Sequence, residues 1–248
     1  MNRLTRAELY RFLHSGSSFR ILLMCCVALF FMPMMEDMDF LSKKLADNLG
    51  NMAIGFMMFT MFVPLVVTIA VANNYTKKTA YYEVMAGNKI WNIIGSKLAI
   101  EGVFVGVIVF VAMTGIGVVV AVKNGMGEME QIGMRMLLLF MICLHVTFVS
   151  VLIGMAVKNI AGAMVSYLRF SIVELMIELL LPLLEIKKVL SAESCVTVKK
   201  AFLMNQISAV FMPKIDGDLM RWVVGCFVVE VVFWGLIVCY TMKKRMYK

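Results

Sequence analysis

The sequence predicts an all-α integral membrane protein: one transmembrane domain, residues 1–248, built on six spanning helices. Three observations predict it. Hydrophobic residues make up 62% of the 248 and charged ones only 16%, against about 45–50% and about 25% in soluble domains. Apolar runs near the ~20 residues that a bilayer requires recur along the chain. Polar residues gather in a few segments between those runs. The formal net charge of +8 falls in flanking loops rather than in a basic soluble domain, so no nucleic-acid partner is expected.

The elements follow in order. Residues 1–18 form an interfacial segment. Within it, NRLTRAELYRFLH spreads its apolar residues over more than one helical face, while Arg3, Arg6 and Arg11, with Arg20 beyond, suit an anionic leaflet. A working surface helix and a plain topology anchor both fit. Span one, 19–35, is short and follows basic residues, as a signal peptide would. Pro33, Glu36, Asp37 and Asp39 follow it in place of a small-residue cleavage site, so a retained helix is expected. Span two, 53–72, carries Pro64, which removes a backbone donor and is expected to kink the helix. Span three, 99–122, carries Gly102 and Gly106, a GxxxG that serves close packing within the chain or a subunit interface. Spans four, five and six cover 134–157, 161–184 and 221–242.

Six spans put both termini on one side. Four arginines, Arg3, Arg6, Arg11 and Arg20, stand before or at the start of span one, and Lys243, Lys244, Arg245 and Lys248 follow span six. The excess of Lys and Arg places that side in the cytoplasm. No internal repeat supports an inverted-repeat secondary transporter.

Two polar segments exceed what a turn needs. Residues 73–98, NNYTKKTAYYEVMAGNKIWNIIGSKL, lie on the cytoplasmic side. Within them 79–85 suit a short helix, Gly87-Asn88 a stop, and 89–96 a second short helix leading into span three. Tyr81, Tyr82 and Trp91 either plug a partner's pocket or rest at headgroup level. On the opposite side, 185–220 contain AFLMNQISAVFM, residues 201–212. This apolar stretch is too short to span, is ended by Pro213, and reads as re-entrant or interfacial.

Arg169, Glu174 and Glu178 lie in span five, Glu230 in span six and His145 in span four. An ionisable group at mid-bilayer costs about 2.5–3.5 kcal/mol, so these should face protein or water. Glu174 and Glu178 share a helical face; at 100° per residue Arg169 points about 140–180° away from them, so Glu230 is its expected partner. The charges either pair structurally or line a substrate path. Twenty-five methionines and seventeen phenylalanines supply adaptable apolar surface, as packing or as a permissive conduit.

Other chemistry finds no carrier. Cys25, Cys26, Cys143, Cys226 and Cys239 fall in apolar runs and Cys195 in a polar one, with no CxxC pair. There is no GxxxxGK[ST] loop, so the chain is not expected to bind ATP itself, and no HExxH or GxSxG. His14 and His145 are isolated, so no metal site is expected. No catalytic residue is assigned, and an enzyme is not expected.

Thr79, Gly87, Lys89 and Lys97 stand where the permease subunits of ABC-2 type transporters carry, after span two, a Thr, a short helix, a turn, a basic residue and a Lys entering span three. Ala7-Glu8-Leu9 in the N-terminal segment, six spans and the apolar stretch between spans five and six complete a likeness over most of the chain. The chain resembles these permeases, closest in layout to small exporters of the lantibiotic-immunity and phenol-soluble-modulin type. Ala86-Gly87 and Asn88-Lys89 replace the family's usual Pro before the turn and Ser-Arg after it. The resemblance implies a coupling helix between spans two and three, docked on a separate ATPase that holds ATP and Mg, and a second permease copy, identical or paralogous. Thr79, Tyr82, Glu83, Met85, Gly87 and Lys89 become ATPase-coupling residues; Arg169, Glu174 and Glu178 become pathway residues. The expected activity is export of a hydrophobic or amphipathic substrate, a peptide or toxin, across a bacterial cytoplasmic membrane. The alternative is a proton-coupled secondary transporter using its intramembrane glutamates.

Overall fold

A computed structural model describes residues 3–14, 42–76, 84–128, 130–157, 161, 164–165, 168–187 and 190–246. Among them every regular element is a helix. In lipid a backbone must satisfy its own hydrogen bonds, which a helix does within one segment.

Helix α1 is Arg3–His14. A single 3₁₀ turn, Leu45–Asn48, leads into α2, Leu49–Thr76. Next come α3, Ile90–Lys97, a π-helical stretch Leu98–Phe104, and α4, Val105–Asn124. Helix α5 is Ile132–Val157. A second π-helical stretch, Leu168–Val173, opens into α6, Glu174–Ile186. Two short helices, α7, Ala192–Lys200, and α8, Leu203–Phe211, precede α9, Leu219–Met246.

Among the described residues, four stretches are long and apolar enough to cross a membrane: Leu45–Ala72, Ile90–Asn124, Ile132–Val157 and Leu219–Lys244. They coincide with predicted spans two, three, four and six. Predicted span one lies outside the described residues. Predicted span five is described without a break from Leu168, and is helical to Ile186 with Arg169, Glu174, Glu178 and Glu185 along it. The short helix expected at 89–96 is α3, and it leads into span three, so that Ile90–Asn124 is continuous over 35 residues. Pro64 sits inside α2, which runs on past it to Thr76.

Helix α5 is the hub. It packs against α2, α4, α8 and α9 and the first π-helical stretch, and Leu138, Ile142, Val146, Val149, Ile153 and their neighbours are buried there. Small residues set the approach distances. A Cβ on Gly102 would sit 2.6 Å from the Phe148 ring, and one on Gly106 would sit 2.9 Å from Leu144. The GxxxG of span three is therefore filled by α5 of the same chain. Gly154 of α5 meets α2 still more rigidly: a Cβ there would sit 2.9 Å from the Val71 Cβ and 3.0 Å from the Thr68 backbone oxygen. Hydroxyls join the same seams: Thr147 Oγ1 donates to the Gly102 carbonyl at 3.1 Å and Thr68 Oγ1 to that of Ser150 at 3.1 Å, the polar ties typical of helices in lipid.

Helices α6 and α9 lie at the margin. Only Glu174 and Leu181 of α6 are buried, and Val228, Val229, Val232, Phe233 and Leu236 of α9 are exposed. An apolar face this large suits lipid or another chain.

Candidate functional site: a charged seam and a cavity

The segment after α2 is described from Val84. Val84 and Met85 are helical, and the turn closes with the Gly87 amide on the Val84 carbonyl at 2.9 Å. Gly87 takes φ 83°, a conformation glycine adopts without penalty. Lys89 is the N-cap position of α3, with no side-chain cap. Met85 and Trp91 project, 70% and 62% exposed. The tip Met85–Lys89 is thus an exposed knob at the head of a continuous helix. Thr79, Tyr82 and Glu83 lie outside the described residues.

Behind that knob a buried ion pair ties α1 to the helix. Lys97 Nζ donates to Glu8 Oε2 at 2.8 Å and lies 3.6 Å from Glu101 Oε1 one turn on. Glu8, Lys97 and Glu101 are each under 5% exposed. A buried pair contributes little net stability when intact, but losing one member costs about 3–5 kcal/mol. The pair therefore holds α1 in one position more than it stabilises the fold.

Farther along, charges from three helices meet. Arg169 Nη1 donates to Glu174 Oε1 at 2.9 Å, and its Nη2 donates to Glu230 Oε1 of α9. The second oxygen of Glu230 lies 3.5 Å from His145 Nε2 of α5. The contact with Glu230 is the one expected from the sequence. The contact with Glu174 corrects the expectation that Arg169 points away from it. Leu168–Val173 is π-helical, and its wider turn brings residues five apart onto one face.

Glu174 also serves the short helix α8. Its Oε2 accepts the Met204 amide at 3.2 Å, one of the α8 N-terminal donors that Phe202, at the N-cap, leaves without a side-chain partner. At the other end the guanidinium of Arg135, 3% exposed, takes the carbonyls of Val210, Met212 and Pro213, the latter two at 2.7 Å, and that of Glu130 at 2.9 Å. An acid at the N-terminus and a cation at the C-terminus both match the helix dipole. The apolar stretch singled out between spans five and six is therefore a nine-residue helix held by a charge at each end. Sequence reasoning missed Arg135. Its signal was indirect: α8 ends in Met212-Pro213 without a glycine cap, leaving carbonyls in need of donors.

Glu174 and Glu178 face one cavity, between α2, α6 and α8, with Met57, Met58, Met204 and Asn205 among its walls. The structure thus brings two of the three predicted pathway residues to one cavity and the third, Arg169, onto Glu174 from behind. Met57, Met58 and Asn205 were not anticipated there. A methionine in an apolar run carries no signal that separates a cavity wall from lipid-facing filler.

No protein-family model matches the chain, and no curated protein or solved structure is significantly similar to it.

Proposed function

We propose that this chain is the permease subunit of an ATP-driven exporter of the ABC-2 type, working with a separate ATPase and a second permease copy. One observation carries the reading. The exposed knob Met85–Lys89 stands at the head of a helix that continues for 35 residues, Ile90–Asn124. A force applied to the knob passes along that rod, and the Glu8–Lys97 pair makes α1 follow. The sequence has no phosphate loop, so such a force would come from a partner. In this reading the knob faces the cytoplasm, α8 lies toward the outside, and the substrate is hydrophobic or amphipathic, a peptide or toxin. Tyr82→Ala and Glu83→Ala should weaken co-purification with the ATPase and reduce transport at least tenfold with the chain still folded. Wild-type association and transport in both variants would overturn the coupling role.

The linked charges His145, Glu230, Arg169 and Glu174 favour a second reading, a proton-coupled transporter, since intramembrane ionisable chains serve proton relays. Vesicles holding the chain alone decide between them. Transport driven by a proton gradient without nucleotide supports the second reading and removes the first.

A further inference from the structure

The cavity between α2, α6 and α8 encloses about 350 Å³, within the ~300–1,000 Å³ of small-molecule sites. Its two carboxylates are in different situations. Glu174 is committed on both oxygens, one to Arg169 and one to the Met204 amide. Glu178, one turn further along α6, accepts a single long hydrogen bond, 3.4 Å, from the Asn205 side chain. No basic side chain among the described residues reaches it within ion-pair distance. Glu178 is partly buried, and in the membrane setting of the permease reading a carboxylate there is costly unless something balances it. The opposing wall is Met57, Met58 and Met204, whose flexible, polarisable thioethers adapt to varied apolar shapes.

An occupant with an apolar body and a positive charge answers both features at once. A lipid tail would fill the space and leave Glu178 unbalanced, and an anion would be repelled. We propose that this cavity binds a lipophilic cation, with Glu178 as the counter-charge and Met57, Met58 and Met204 as its adaptable wall. The inference deepens the permease reading, because it names the charge and character of what the pathway would hold.

The test uses the purified chain in neutral-lipid nanodiscs with two probes of the same shape and opposite charge, tetraphenylphosphonium and tetraphenylborate. In separate titrations the phosphonium should bind saturably and the borate should not. Glu178→Gln should weaken phosphonium binding about tenfold, the scale of one lost charge contact, while Glu178→Asp keeps it within a few-fold. Met58→Trp, which leaves the carboxylate in place and fills the cavity, should also weaken it. Equal binding of the two ions, or unchanged phosphonium binding in both Glu178→Gln and Met58→Trp, would overturn the proposal. Because no ATPase or nucleotide is present, that failure leaves the permease reading standing. A failed co-purification with an ATPase likewise leaves the cation site standing.

Discussion

At the scale of single residues, the buried charges differ in what they hold. Arg135 binds carbonyls alone, four of them. Arg135→Ala leaves those acceptors without donors, each charged hydrogen bond being worth about 1.5–3 kcal/mol. It should lower stability by on the order of 3 kcal/mol and expose the Met212–Pro213 region to proteolysis first. Arg135→Lys keeps the charge but lacks the planar fork, and should recover only part of the loss in thermal melting. The sequence showed Arg135 only as a basic residue at the edge of span four. It missed the second partner of Arg169, Glu174, because residue spacing in a mostly apolar span gives no sign of a π-helical turn. The pairing with Glu230 was legible, since a charge in lipid must find a partner and few were on offer.

At the scale of elements, the helices are set by how closely backbones approach. Gly154 faces backbone, the Thr68 oxygen, which no rotamer change can move. Gly154→Val should cost about 1–3 kcal/mol through overpacking. Gly95, with nothing within 4 Å of its would-be Cβ, offers the contrast: Gly95→Ala should stabilise α3 by roughly 0.5–1 kcal/mol. Urea titration of both variants in mild detergent checks the pair. Elements with strong compositional contrast were read well from sequence, among them α2, α5 and α9. The π-helical stretch that joins α3 to span three was not, because residue spacing carries no sign of a widened turn.

At the scale of the whole molecule, α5 binds the described helices into one bundle, while α6 and α9 turn long apolar faces outward. The terminal arginines and lysines predict that the ends of the chain and the Met85–Lys89 knob share the cytoplasmic side, with α7 and α8 opposite. Single cysteines at Lys89 and Glu193, in a background with the native cysteines replaced, test this. In intact cells an impermeant maleimide should label the second and spare the first. The reverse pattern would invert the orientation and remove the docking role of the knob.

The two ends of α8 are unequal. Nine residues rise about 13 Å, so the peptide backbone itself sets the separation between its anchors on α6 and α5. One anchor is the Glu174 carboxylate, which takes the Leu203 and Met204 amides; the other is a guanidinium gripping three carbonyls of the α8 C-terminal end. If α5 and α6 part, the anchor with fewer bonds yields first and α8 swings about Arg135 as a door swings on its hinge, with Glu174 as the latch. That latch is also a wall of the cavity, so unfastening the door and unroofing whatever lies behind it are one event.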